Sequence, residues 1–136
     1  MDDHPPAAVL YTVNLAPLAG FYQEVASLPL RKADPDYIVL GNAAFRLIVL
    51  QIPAQYASHI VIAAPPAIRE SGPIKLSFPV ASIAGAREAA ARLGGCVYGP
   101  EREWQYESSR ICDGWDPDGN VFQLFQPAVS NPRATI

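Results

Sequence analysis

The chain is short of charge: lysine, arginine, aspartate and glutamate make up 17% of its 136 residues, and 50% are hydrophobic. An average soluble protein carries about 25% charged residues, so this composition supports a filled core and excludes a disordered chain. Basic residues are also few. Ten against thirteen acids leave a net charge of −3 and a pI of about 5.2, without the basic excess that neutralising a phosphate backbone requires. Nucleic acid is therefore not an expected partner. The two cysteines, Cys96 and Cys112, lack CxxC spacing and have no histidine near them in sequence, which removes the signal for a zinc knuckle or a redox pair. Both are expected to be reduced, mostly buried thiols. No run approaches the about 20 apolar residues of a membrane span; Ile38 to Leu40 and Leu47 to Leu50 are strand-sized, so no membrane association is expected. Acids at Asp2 and Asp3 stand where a signal peptide carries basic residues, and the expected location is the cytoplasm. The length suits a single domain, or two half-domains sharing a core.

What is present is periodic. Ala7 to Val13 reads as a strand, Asn14 as the cap of a helix, and Leu18, Phe21, Tyr22 and Val25 as that helix's apolar stripe. Pro17 is tolerated in the first turn, and Pro29 is the expected stop. Strand-like runs follow at Leu30 to Ala33, Tyr37 to Leu40 and Phe45 to Ile52, separated by Asp34-Pro35-Asp36 and Gly41-Asn42. Pro53 to Gly72 has a connector's composition, although Ile60-Val61-Ile62 offers a short strand. The pattern then starts again. Ile74 to Val80 reads as a strand, Ser82 as an N-cap, and Ile83, Ala86, Ala90 and Leu93 as a helical stripe closed by Gly94-Gly95. Cys96 to Tyr98, a broken Glu103 to Asp113 and Asn120 to Gln126 are the remaining strand candidates, the last preceded by the turn Asp116-Pro117-Asp118-Gly119.

Setting Asn14 against Ser82 gives an offset of 68 residues, half the chain, and lays helix on helix and strand on strand. The expectation is an α+β domain of two βαβββ modules: residues 7–53, a linker at 54–72, residues 73–127, and a tail at 128–136. Modules this small need each other to cover their faces, so they are expected to pair through their sheets. A curved mixed sheet with helices outside leaves a concave face suited to a small molecule. Pro79 within the fifth strand predicts an edge or a bulge there.

Tyr11-Thr12-Val13-Asn14-Leu15 running into a helix with Phe21-Tyr22, and Asp116-Pro117-Asp118-Gly119-Asn120-Val121 before the last strand, together resemble the vicinal oxygen chelate superfamily. That group includes glyoxalase I, bleomycin-resistance proteins, extradiol dioxygenases and fosfomycin-resistance enzymes. The resemblance spans about Ala7 to Pro127 and implies paired βαβββ modules around a cup. It also implies a divalent metal held by histidine and glutamate from the first and last strands of each module. The matching positions hold Ala7, Lys75, Gln51 (or Leu50, one residue back) and Gln123. Alanine has no donor, an ammonium repels a cation, and an amide is a poor carboxylate. No metal and no other cofactor is expected, unless this register is wrong. His4 and His59 lie in the N-terminal segment and the connector, away from the cup strands.

Candidate ligand-binding residues are Lys75, Gln123, Gln51, Trp104, Tyr106, Trp115 and Arg46. Trp104 and Tyr106 alternate and so face one side of a strand, as an aromatic wall or as core. Trp115 sits beside a turn. Lys75 inside the cup would hold an anionic group, or would snorkel to the rim. Arg46 and Glu101-Arg102-Glu103 place charge near the expected mouth, where surface ion pairs account for them equally well. No nucleophile and base pair, oxyanion hole or phosphate loop is visible, so no residue is assigned a catalytic role. The expected function is metal-free binding of a small organic molecule, as the resemblance to bleomycin-resistance proteins implies. The alternatives are a metal-dependent lyase, isomerase or dioxygenase resembling glyoxalase I, and a dimeric interaction protein whose cup is self-filled. A homodimer is expected in each case.

Overall fold

The structure, a computed structural model, describes residues 4–128. Strand β1 (Ala7–Thr12) leads into helix α1 (Leu15–Val25), followed by β2 (Leu30–Ala33), β3 (Tyr37–Gly41) and β4 (Arg46–Gln51). A single-turn helix, α2 (Ala54–Ala57), opens the connector, and Ile60 to Ile62 form no strand. The second half comprises β5 (Leu76–Pro79), α3 (Ile83–Arg92), β6 (Cys96–Val97), a 3-10 turn at Pro100–Arg102, β7 (Trp104–Tyr106), β8 (Ser109–Trp115) and β9 (Val121–Pro127). The broken segment at Glu103 to Asp113 is thus a hairpin, β7 folding back on β8 through Glu107 in the left-handed region at φ 53°.

The strands form two mixed sheets. In the first the order is β1-β4-β3-β2, and in the second β5-β9-β8-β6, with β7 sharing β8's outer edge with β6. Each module pairs its first strand parallel to its last, β1 with β4 and β5 with β9, and the other ladders are antiparallel. This is the α+β, twice-repeated βαβββ architecture with open sheets. Among the described residues both β1 and β5 are edge strands. The Val80 N–H bonds to the Phe125 carbonyl, so by alternation Pro79 turns its nitrogen to the free side of β5, where no ladder donor is lost.

Helix α1 buries Leu18, Ala19, Phe21, Tyr22 and Val25, and α3 buries Ile83, Ala86, Ala89 and Ala90. Ser82 caps α3 by accepting from the Gly85 N–H at 2.9 Å, and Gly94 ends it at φ +88°. Asn14 does not cap α1 with its side chain. Instead the amide oxygen of Gln51, at the end of β4, accepts from the Leu15 N–H at 3.3 Å. Gln126 does the same for Ile83 at 2.8 Å from the end of β9. Each module therefore helps to cap its helix with a glutamine from its own last strand, a repeat that pairwise matching of the caps does not reveal. Helix α1 stops at Val25, ahead of Pro29, where Ser27 turns into the left-handed region at φ 56°.

Among the described residues the modules meet without pairing strands between their sheets, and β1 and β5 share no ladder. The junction is made by α1 against α3 and by an aromatic cluster in which Phe21 and Tyr22 each meet Phe122 edge-on at 5.7 Å, with Tyr22 5.7 Å from Phe78. Two buried hydrogen bonds complete it: Thr12 Oγ1 donates to Asp118 at 2.7 Å and the Tyr22 hydroxyl to Asp116 at 2.6 Å. The 116–119 turn is thus also an inter-module latch. Gly119 holds φ +89° there and passes so close to the Ala67 carbonyl that a Cβ would clash. No helix among the described residues is long and apolar enough to cross a membrane.

Candidate functional site

Directly opposed residues in a ladder project from one face of a sheet, and this sorts the second sheet cleanly. Leu76, Phe78, Phe122, Leu124 and Cys112 belong to the packed core beneath the helices. The opposite face carries Ser77, Gln123 and Asp113 in one row, then Pro79, Phe125, Ile111 and Trp104 in the next, with Tyr106 opposite Ser109 beyond. Lys75, one residue before β5, continues the same face by alternation. Its Nζ lies 3.2 and 3.1 Å from the two carboxylate oxygens of Asp113. The Ser77 hydroxyl donates to the Gln123 amide oxygen at 2.9 Å.

The result is a polar strip, Lys75–Asp113 and Ser77–Gln123, beside an apolar strip ending in exposed aromatics. Trp104 is 40% and Tyr106 63% accessible. A hollow of about 320 Å³ lies over Ser77, Gln123, Ile111, Phe125 and Tyr106. Another of about 280 Å³ borders Lys75, Asp113, Tyr98 and Arg102, where the Arg102 guanidinium stacks 3.8 Å from the Tyr98 ring centre. The face is braced from behind. Arg87 on α3 donates to the Tyr98 carbonyl at 2.7 Å and to Glu103 at 2.5 Å, and Arg110 reaches Glu103 at 3.3 Å. These bonds, Arg87's first, hold the Glu103 carboxyl below the usual glutamate range. Burial, the largest cause, pushes both the Cys96 and the Cys112 thiols up, away from the reactive thiolate form.

Of the residues singled out in the sequence, Lys75, Gln123, Trp104 and Tyr106 come together on this face. Gln51 does not. Paired with Thr12, it lies on the helix side of the first sheet with Leu47 and Val49, where it serves α1, and Leu50 takes the open face. Arg46 shares that open face with Ala7 at the far end of the first sheet, its Nε buried without a partner among the described residues. Trp115 lies between Cys96 and Val121, half-buried and outside both hollows. Ser77, Asp113, Ile111 and Phe125 were missed. Alternation from Lys75 and Gln123 points to Ser77 and Phe125, but Asp113 and Ile111 need the register of a hairpin that the sequence shows only as a broken strand.

The positions matched to metal ligands hold a methyl group at Ala7, an ammonium already paired to Asp113 at Lys75, an isobutyl group at Leu50 and an amide engaged by Ser77 at Gln123. That donor set does not fit zinc or a transition-metal cation, which favours imidazole, thiolate or carboxylate ligands. Among the described residues no cluster of three or more histidine, cysteine, aspartate or glutamate side chains is placed to hold one, and His4 and His59 are exposed.

A family model described as a glyoxalase-like domain matches residues 7–125. The chain belongs to that family. No curated protein matches the chain in sequence. Among solved structures, the glyoxalase-like chain is similar to a glyoxalase/bleomycin resistance protein from Albidiferax ferrireducens T118, with TM-score 0.64, 16% identity, and 89% of this chain and 96% of that one covered. It is similar to hypothetical protein SA1046 from S. aureus, with TM-score 0.62, 15% identity and 93% and 94% covered. It is also similar to TnmS3, an antibiotic binding protein from Streptomyces sp. CB03234, with TM-score 0.59, 20% identity and 92% and 96% covered. At these identities the likeness is one of fold.

Proposed function

We propose that this glyoxalase-like protein binds a small organic molecule on the open face of its second sheet without a resident metal ion. The observation that carries the reading is the joint placement of Lys75–Asp113, Ser77–Gln123, Trp104 and Tyr106 on one face. Exposed aromatic rings beside oriented amide and hydroxyl groups suit a flat, partly apolar molecule bearing hydrogen-bonding groups. The Lys75–Asp113 pair balances its own charge, so the face does not demand a charged ligand. Antibiotic binding, named for the Streptomyces neighbour, accords with this class of ligand.

The test is a thermal-shift screen of aromatic small molecules, repeated on Trp104→Ala and Gln123→Ala. A ligand that raises the melting temperature of the parent protein and fails with both variants supports the reading. Stabilisation retained in both overturns the site. Dialysis against Mn, Fe, Ni and Zn followed by elemental analysis tests the metal-free half, and about one tightly held ion per chain overturns it.

A two-fold homodimer in the cytosol is part of the same proposal. The open face of the first sheet presents Val9, Tyr11, Ile48 and Leu50, with Tyr11 68% accessible, an apolar surface suited to an identical partner. Sedimentation of Tyr11→Lys as a monomer beside a dimeric parent supports it, and a monomeric parent overturns it. The two unpaired thiols accord with a reducing compartment.

A further inference from the structure

A cavity of about 510 Å³ lies between the edges of the two sheets, lined by residues 7–10 of β1, by Ile74, Leu76 and Val121 across from them, and by Arg69. Four consecutive residues of a strand line it, so β1 meets the cavity with its edge as well as its side chains. The ladder shows which main-chain groups point inward. The Arg46 N–H bonds to the Pro6 carbonyl and the Ile52 N–H to the Thr12 carbonyl, so the even-numbered residues of β1 turn their main chain toward β4. In an extended strand the N–H and C=O of one residue point the same way. Ala7 and Val9 therefore turn both groups toward the cavity, and no backbone hydrogen bond reaches them among the described residues.

Unpaired donors and acceptors along a strand edge are a template for another extended chain. The opposite wall is apolar at Ile74, Leu76, Val121 and Phe122, with Asn120 beside them. Arg69 is exposed and forms no ion pair among the described residues, and its own N–H anchors it to the Gly119 carbonyl at 2.9 Å.

We infer that this seam binds a short peptide-like acid, an extended molecule with a secondary amide and a carboxylate. Its amide pairs with the main chain of Ala7 and Val9, its carboxylate meets Arg69, and its apolar substituents lie against Ile74, Leu76 and Val121. The site is separate from the open face of the second sheet and stands whether or not that face binds a ligand.

The experiment is an amide-resolved NMR titration of the full chain with three probes: N-acetyl-trivaline acid, its C-terminal carboxamide, and the acid N-methylated at its central amide. The acid is expected to shift the Ala7 and Val9 amides, the carboxamide to bind about tenfold more weakly through loss of the charged contact, and the N-methylated form to lose the shifts. Arg69→Gln should bring the acid down to the carboxamide's affinity. Val9→Pro should abolish binding while leaving the melting temperature within a few degrees, because the Val9 N–H takes no part in the ladder. Shifts confined to Ser77, Asp113 and Gln123, equal affinity for acid and carboxamide, or no shift at millimolar peptide would overturn the inference. So would broadening of the Ala7 and Val9 amides on concentrating the Tyr11→Lys variant alone, which assigns the strand edge, and not the open face of the first sheet, to a second copy.

Discussion

The hydroxyl of Tyr22, on the first helix, donates a 2.6 Å hydrogen bond to the Asp116 carboxylate on the turn before the last strand, and both side chains are buried. The pair spans the two modules at the point where they lack a shared ladder. Asp116 accepts in addition from the Asp118 and Asn120 N–H groups and from the Asn120 side chain. One carboxylate thus shapes the turn and fixes it to the neighbouring module. Burial, above all, raises the Asp116 carboxyl, and burial followed by the nearby Asp116 charge raises the Tyr22 hydroxyl well above its usual range.

Tyr22→Phe removes a donor and leaves a buried carboxylate short of one partner. The expected loss is about 1–3 kcal/mol in urea unfolding. A change within about 0.5 kcal/mol would show that the latch adds nothing to the aromatic packing around it.

Gly95→Ala tests how closely the modules approach. A Cβ at that position would clash with the Phe21 ring and the Trp115 carbonyl, so the substitution should cost about 1–3 kcal/mol. Unfolding at an unchanged urea midpoint would show that the interface yields freely.

The two glutamine caps predict unequal losses. Gln126→Ala should destabilise by about 1 kcal/mol, and Gln51→Ala by less, because its bond is 3.3 Å against 2.8 Å. Equal losses in parallel urea titrations would contradict that ranking.

Acid sensitivity follows from Glu103. Its folded-state pKa lies below the ordinary 4.5, the Arg87 hydrogen bond being the largest cause. A depressed carboxyl contributes stability above its unfolded value and loses it as pH falls through the folded one. The stability gap between the parent and Glu103→Gln should therefore be full at neutral pH and shrink below the ordinary 4.5. Asp116 acts in the opposite sense: its pKa is raised above 3.8, so its contribution is most favourable below that value and fades as pH rises through the folded one. A gap independent of pH would remove Glu103 from the account.

Trp104 separates binding from folding. At 40% accessibility its replacement by alanine should cost no more than about 2 kcal/mol of stability, yet weaken a ligand found by the thermal-shift screen by more than about 1 kcal/mol. A large stability loss with affinity intact would return the ring to the core.

The sequence alone determined the repeat. Apolar residues at helical spacing from Leu18 to Val25 and from Ile83 to Leu93, strand-sized runs between turn residues, and the motifs around Tyr11 and Asp116 identified two βαβββ modules and their family, because local periodicity reports which face of each element is buried. The same periodicity placed Trp104 with Tyr106 on one side of a strand, and the family resemblance put Lys75 and Gln123 in the cup. Tertiary structure decided what depends on register and on contacts between distant segments. Gln51 went to the helix side because one residue of register exchanges the faces of a strand. Asp113 and Ile111 joined the candidate face through a hairpin that the sequence shows only as a broken strand, and the cavity between β1 and β5 exists because the modules meet through helices, aromatic rings and the Tyr22–Asp116 latch instead of through a ladder.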